Sequence, residues 1–178
     1  MKILLYYPWI YLKGGVERVI LETLKRSKHD FRIATNYFDA KNTFHEFSNY
    51  DIIQLNNRLS VKRNYNAVGK AAIAILFEKI NINKYDALLV HCDGIGNLIT
   101  FRNHEIPCYC FCHTPLRPAY DEFYRANYLE QNKRSPIPFD ILAKSFRTVD
   151  CYAWRIYKKI FCNSAETGNR ILKYFPLL

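Results

Sequence analysis

Short apolar runs recur along the chain and are separated by longer segments of mixed character. Runs of about four to eight mainly apolar residues, bounded by turn-forming or charged residues, are typical of buried strands. We predict six strands on this basis, over residues 2–7, 31–37, 51–56, 87–92, 106–112 and 159–164.

The intervening segments carry apolar residues at helical spacing. After Gly14 and Gly15, for example, Val16, Ile20 and Leu24 lie on one side of a predicted helix, with charged residues on the other. We predict further helices over residues 66–80, from 139 to about 158, and 165–175. Strands that alternate with helices indicate an α/β fold, in which a mostly parallel, Rossmann-like sheet has helices on both faces.

Sheets of this kind bind ligands beyond the carboxyl ends of their strands. The loops predicted at that edge follow the first, fourth, fifth and sixth strands, and they contain the unusual residue clusters of this sequence: PWIYLKGG, CDGIGN, HTPLRP and NSAE. We therefore expect any functional site to lie at the carboxyl edge of the sheet.

The composition fits one folded domain. The chain has 178 residues, of which 49% are hydrophobic and 16% aromatic, enough for one core and too little for two ordinary domains. The formal net charge of +10 favours anionic partners such as phosphate-bearing substrates or an acidic membrane surface. Lys and Arg are scattered and form no known reading module, so we do not expect nucleic acid as a partner.

The six cysteines are predicted to be reduced thiols, and three of them are predicted to pack in the core. Cys108, Cys110 and Cys112 alternate along one strand and so share a face, but no pair has the tight-turn spacing of a zinc site. The N-terminal MKILLYYPW lacks the apolar length of a secretory signal, and no apolar run reaches the roughly 18 residues of a membrane span. We predict a cytoplasmic location.

The Gly14–Gly15 pair can be read in two ways. Two glycines before a helix allow a phosphate to approach the free amides of the helix N-terminus. The same pair is also common in simple turns. Neither G-x-G-x-x-G nor G-x-x-x-x-G-K-[ST] occurs in the chain, so no dinucleotide fingerprint or P-loop is present.

Asp93 and Asn97 also have two readings. They flank Gly94 at the end of the fourth predicted strand, where a carboxylate and an amide could bind sugar hydroxyls. Alternatively, Asp93 caps the short helix that follows.

The sharpest feature is HTPLRPAYD, directly after the fifth predicted strand. His113 can donate or accept a hydrogen bond near neutral pH. Arg117 can bind a phosphate or carboxylate through two parallel hydrogen bonds. Pro115 and Pro118 stiffen the loop. This combination at a strand end favours a functional site.

Three motifs in this order resemble one enzyme family. They are GGVER at 14–18, HTPLRPAYD at 113–121 and FCNSAETGNRILKYF at 161–175, and together they are similar to the family 4 retaining glycosyltransferases of the GT-B fold. The HTP-x-R variety looks most similar to enzymes of surface-polysaccharide synthesis, many of them mannosyltransferases. The resemblance extends over essentially the whole chain.

The resemblance implies one half of a GT-B architecture, in which two Rossmann-like domains face each other across a cleft. Residues 1–174 would form the N-terminal, acceptor-side domain, and residues 175–178 would begin the interdomain linker. The C-terminal, donor-binding domain is absent from the sequence and would be supplied in cis or in trans.

The resemblance also implies roles for individual residues. His113 would be the active-site histidine, which positions and polarises the transferred sugar. The donor diphosphate would lie against Gly14, Gly15 and Val16. The acceptor side would be formed by Asp93, Gly94, Asn97, Arg117, Tyr120 and Asp121. The remainder of the cleft would be formed by Asn163 and Ser164.

The activity implied is transfer of a sugar from a nucleotide-sugar, with GDP-mannose as the candidate donor, to a saccharide or lipid-linked acceptor. No metal and no cofactor are expected, because the nucleotide-sugar is itself a substrate. Peripheral contact with the inner membrane face would bring the domain to lipid-linked acceptors. The alternative is a non-catalytic partner subunit of the same fold that requires a separate catalytic chain.

Overall fold

The computed structural model describes residues 1–56, 58–61, 65–132 and 136–175. All six predicted strands are present, most of them shorter than the apolar runs that predicted them. Their bounds are β1 Lys2–Tyr6, β2 Asp30–Thr35, β3 Ile52–Gln54, β4 Ala87–Cys92, β5 Cys108–Cys112 and β6 Lys159–Cys162.

The six strands form one parallel sheet in the order β3-β2-β1-β4-β5-β6, which confirms the predicted Rossmann-like class. The order reverses between β1 and β4, and ligands of such sheets bind at this reversal, beyond the carboxyl ends of the strands. A separate parallel pair, Trp9–Ile10 with Tyr37–Phe38, was not predicted because each strand has two residues.

The helices are α1 Gly15–Arg26, α2 Tyr65–Phe77, α3 Arg117–Tyr120, α4 Glu122–Asn132, α5 Pro136–Ile156 and α6 Ala165–Tyr174. Two 3₁₀-helices span His45–Asn49 and Gly96–Phe101. The sequence pattern predicted α1, α2, α5 and α6 but left the aromatic stretch of α3 and α4 unassigned. The predicted linker lies outside the described residues from position 176 onward.

The two faces of the sheet are covered to different extents. One face packs against α2, α5, α6 and the second 3₁₀-helix through residues such as Ile75, Trp154 and Ile171. The other packs against α1 and the first 3₁₀-helix, mainly under β2 and β1, through Ile20 and Phe47 among others. The apolar side of α1 that the sequence predicts therefore packs in the core.

Aromatic side chains on this second face remain partly open over β5 and β6. Tyr109 and Phe111 of β5 are half-buried, and Phe161 of β6 is 43% exposed. A parallel sheet is normally covered on both faces. We call these three residues the open sheet face.

Cys108, Cys110 and Cys112 lie in the core on the face that packs against α2, α5 and α6, as predicted. Cys92, Cys112 and Cys162 stand side by side in register on β4, β5 and β6, and all six cysteines are free thiols. Burial raises the pKa of Cys112 and Cys110, so these groups are thiols rather than thiolates at neutral pH. Packing accounts for them.

Apolar side chains also project from α5 into solvent. They are Ile137, Ile141, Leu142, Val149 and Tyr152, each between 42% and 68% exposed, and we call them the α5 surface. Within the described residues, no helix combines the length and the apolar character needed to cross a bilayer.

Candidate functional site

The loops predicted to form a site do converge at the carboxyl edge of the sheet. The backbone amide of His113 donates to the carbonyl of Cys92 on β4 at 2.8 Å, and the amide of Asn163 donates to the carbonyl of Cys112 at 3.3 Å. The loops after β4, β5 and β6 are thus joined by backbone hydrogen bonds. His113 lies at the centre of this group.

His113 is paired with a second histidine that the sequence reasoning missed. Nδ1 of His91 lies 3.0 Å from Nε2 of His113, and the ring of Phe111 stacks on His91 with 5.4 Å between centroids. His91 is completely buried, while His113 is 8% exposed. Alternation along β4 and β5, with His91 opposite Phe111, is the sequence signal that could have revealed the pair.

Burial keeps both imidazoles neutral. It lowers the pKa of His113 to about 4, and it lowers the pKa of His91 well below the ordinary value, with a further contribution from His113. Removing an imidazolium from water is costly, and burial is the cause of the lowered pKa at His113. At neutral pH, His113 is therefore a hydrogen-bonding group and not a cation.

We expect this burial to make the folded state sensitive to acid. The unfolded chain binds a proton at His113 near pH 6.5, but the folded chain does so only near pH 4. The stability due to His113 is thus fully present above pH 6.5 and lost as the pH falls to 4, by on the order of 3 kcal/mol. Urea unfolding at pH 7 and pH 4 should show this extra loss in the wild type relative to His113→Gln.

The comparison with His113→Gln is needed because Asp150 acts in the opposite direction. Burial raises the pKa of Asp150 to about 6, so its contribution grows as the pH falls from 6 toward 4. Asp150 is common to both proteins and cancels in the difference. Equal losses in the wild type and in the variant would contradict the prediction.

Asp93 lies at the strand-order reversal and bridges β1 and β4. Its carboxylate accepts a hydrogen bond from the hydroxyl of Tyr7 at 3.0 Å. Gly94, which follows it, has a φ of +137°, a backbone conformation that favours glycine. Of the two readings of Asp93, the capping one is not supported, because the 3₁₀-helix begins after Ile95 and has no side-chain cap hydrogen bond.

Asn97 and Tyr120 were predicted on the acceptor side, but both are buried in the interior. The Asn97 amide and the Tyr120 hydroxyl donate to the carboxylate of Asp150, the latter at 2.5 Å, and Trp154 Nε1 donates to it at 2.8 Å. Asp150 is completely buried. These two residues hold α3 and the second 3₁₀-helix against α5, and we remove them from the candidate site.

The Gly-Gly loop binds an anion of its own chain. The Glu17 carboxylate is 2% exposed and accepts hydrogen bonds from the backbone amides of Tyr11, Leu12, Gly14 and Glu17 itself. A Cβ at Gly14 would lie 2.6 Å from Glu17 Oε2, so a side chain there would displace the Glu17 carboxylate.

The occupied amides change the phosphate-binding prediction. The amide of Gly14 is used by Glu17, and the carboxylate would repel a diphosphate placed beside it. Burial raises the pKa of Glu17 while the backbone hydrogen bonds lower it by less. Space remains at Gly15, where an added Cβ would meet nothing within 4 Å. The loop therefore leaves Gly15 and Val16 as its candidate phosphate contacts.

Arg117 and Asp121 differ in what they offer a ligand. Arg117 is exposed, and within the described part of the chain its guanidinium forms no ion pair. Asp121 accepts from the amide of Tyr124 at 3.0 Å and pairs with Arg170 at 3.2 Å. Arg117 is thus available for an anion, whereas Asp121 fixes the start of α4 and its position beside α6.

Asn163 and Ser164 are exposed at the same edge. Ser164 caps α6 by accepting from the amide of Thr167 at 3.2 Å. The Thr167 hydroxyl lies 2.8 Å from Asn163 Oδ1 and 3.3 Å from the carbonyl of His113. The β6–α6 turn is therefore bonded to the His113 loop, which places both residues beside it.

A cavity of about 570 Å³ opens at the far end of the carboxyl edge, between the segment after β3 and the start of α2. Its charged lining residues are Arg58 and Lys70. Four strand spacings separate β3 from β5, about 19 Å. Arg58 and Lys70 thus place positive charge beside this cavity, some distance from His113.

Comparison with known proteins finds similarity in fold but not in sequence. No protein-family model and no curated sequence matches the chain. Among solved structures, 97% of the chain superimposes on a UDP-GlcNAc 2-epimerase from Neisseria meningitidis bound to UDP-GlcNAc, with a TM-score of 0.51 and 15% identity. A UDP-N-acetylglucosamine 2-epimerase superimposes on the same share, with a TM-score of 0.53 and 16% identity.

The chain spans 43% and 44% of the length of these two structural neighbours. It therefore corresponds to about one of the two Rossmann-like domains in such GT-B-like proteins. At this level of identity, the likeness concerns the fold alone.

Proposed function

We propose that this chain is the acceptor-side domain of a retaining glycosyltransferase, which moves a sugar from a nucleotide-sugar to a saccharide or lipid-linked acceptor in surface glycan synthesis. The observation that carries the proposal is the placement of His113, in its HTP-x-R motif, at the carboxyl edge between the loops after β4 and β6. The GT-B-like fold of two sugar-nucleotide epimerases supports this class of substrate. GDP-mannose is the donor that we propose from the motif resemblance.

The proposed roles follow from the charge state of each group. Neutral His113, with its pKa near 4, would hydrogen-bond the transferred sugar rather than attack it. In the reaction, the bond from the anomeric carbon to the phosphate oxygen breaks and the acceptor oxygen bonds to that carbon on the same face. The acceptor proton passes to the departing phosphate. Catalysis by this domain would consist of orientation and hydrogen bonding.

Two features support an anionic, membrane-borne acceptor. Arg58 and Lys70 line the cavity at the far end of the carboxyl edge, where they would bind a phosphate of an extended acceptor while its sugar end reaches His113. The apolar α5 surface would lie against the bilayer, and the net charge of +10 would favour anionic lipid. We propose peripheral contact on these grounds.

The proposal requires a second domain, in cis or in trans, because the donor nucleotide would bind mainly there. The test is to produce the chain joined to its natural downstream sequence and to assay sugar-nucleotide consumption. Free saccharides and phosphate-bearing lipid acceptors in anionic vesicles are compared. We expect transfer with retention of the anomeric configuration when both domains are present.

The control is the chain alone, which should bind nucleoside diphosphates weakly in calorimetry and turn over no donor. Micromolar binding by the chain alone would mean that the donor site is assigned to the wrong half. A separate catalytic chain that needs this one only for assembly would establish the non-catalytic partner subunit instead.

A further inference from the structure

We propose that His91 holds His113 in the neutral tautomer that carries its proton on Nδ1, so that His113 presents a constant hydrogen-bond donor at the carboxyl edge. His91 is then a positioning residue that acts through His113. The inference rests on the proposed function only for the identity of the group that receives this hydrogen bond.

The geometry of the pair requires one proton between the rings. Nδ1 of His91 and Nε2 of His113 are 3.0 Å apart, a hydrogen-bonding distance for nitrogen. Each neutral imidazole has one donor nitrogen and one acceptor nitrogen. One of the two facing nitrogens therefore carries a proton, and the choice fixes the tautomer of both rings.

The burial of His91 determines which of the two facing nitrogens carries the proton. Its Nε2 is sealed from solvent and has no hydrogen-bond partner among the described residues. If His113 donated to His91, the His91 proton would sit on that sealed Nε2 and leave a buried N–H without an acceptor. Such orphaned donors are rarer in native interiors than under-used acceptors. If His91 donates instead, the sealed nitrogen has only a lone pair, so this arrangement is favoured.

The surroundings prevent His91 from relaxing into another arrangement. Phe111 stacks on its ring at an interplanar angle of 9°, and β4 and β5 fix the backbones in register. His113 is held by its own amide, which donates to Cys92, and by its carbonyl, which lies near the Thr167 hydroxyl. Rotation of either ring would break the only side-chain hydrogen bond that His91 makes within the described structure.

The consequence is a donor that needs no reorganisation when substrate arrives. With Nε2 engaged by His91, the remaining nitrogen of His113 is Nδ1, which is not sealed from solvent. An N–H at that place would donate to a hydroxyl or phosphate oxygen of a sugar nucleotide, and pre-set donors of this kind are effective in water-poor sites. A free imidazole would instead exchange between tautomers and present the donor for part of the time.

Nuclear magnetic resonance of the ¹⁵N-histidine-labelled chain without substrate tests the proposal, because two-bond proton–nitrogen correlations distinguish the two neutral tautomers. At pH 7 we expect His113 and His91 both to be protonated on Nδ1. For His113, this tautomer should exceed the Nε2-protonated tautomer by at least about tenfold. A His113 ring protonated mainly on Nε2, or an even mixture, would overturn the proposal. Loss of transferase activity in a separate assay would not alter this result, so the two proposals fail independently.

Variants of His91 show whether it is the cause. His91→Phe keeps a ring under Phe111 but removes the donor, and the tautomer excess of His113 should fall relative to the wild type. His91→Asn keeps an amide donor near the place of Nδ1 and should restore the excess, whereas His91→Gln moves the amide and should not. His29→Gln is the control, because His29 is an exposed histidine. An unchanged excess in His91→Gln would contradict the proposal even if His91→Phe fails to fold.

Discussion

Replacement of Asp150 by alanine should lower the free energy of unfolding by about 3–5 kcal/mol. Three buried donors, on Asn97, Tyr120 and Trp154, lose their shared acceptor in this variant. Each unsatisfied buried polar group costs about 1–3 kcal/mol. The carboxylate joins α5 to α3 and to the second 3₁₀-helix, so its removal weakens several contacts together.

The measurement is urea unfolding of the chain, monitored by circular dichroism. Asp140→Ala is the matched control, since Asp140 lies on the same helix and pairs with Arg125 at the surface with 51% of its side chain exposed. Exposed pairs of this kind contribute about 0–1 kcal/mol. A loss at Asp150 no larger than the loss at Asp140 would show that the buried network is not important for stability.

In the two-domain transferase that we propose, His113→Ala should lower kcat by about 10²–10³-fold, the usual effect of removing one pre-set donor from the reacting group. The folded structure should persist, because His113 lies at the edge of the sheet and its backbone hydrogen bonds remain. The measurement is initial-rate kinetics with the sugar-nucleotide donor, together with a circular dichroism spectrum of the variant.

His104→Ala controls for the loss of any histidine near β5. His104 lies just before the amino end of the strand, and its Nδ1 contacts the carbonyl of Thr100. It should retain wild-type kcat. Wild-type activity in His113→Ala would remove this residue from the mechanism and leave the proposed function without its main support.

The fold could be predicted from the sequence because its signals are local. The apolar run ALLVHC coincides with β4, and the stripe through Ile20 and Leu24 packs in the core as expected. The predicted strands are too long at their ends, as at Ile106 and Pro107, because apolar residues continue beyond the last hydrogen bond of the sheet. The break between α3 and α4 could not be predicted, because α3 has only four residues, too few to show a helical period.

The site was predicted only in part because its chemistry depends on distant partners. Asp150 has no distinguishing local pattern, yet it meets Asn97, which lies 53 positions away in the sequence. Glu17 looked like a helix-surface charge, but its carboxylate returns to the amides of the loop before it. His91 was read as part of a strand. Patterns identify which residues share a face, but not which of them touch across the fold.

The open sheet face has a consequence for the water around the histidine pair. Phe111 belongs to that face and also stacks on His91, so an element that covers Tyr109, Phe111 and Phe161 would strip water from one side of the pair. Covering this face and removing water from the histidine pair would then be a single event. In that state the His113 donor would act in a medium of lower polarity, where each hydrogen bond is stronger.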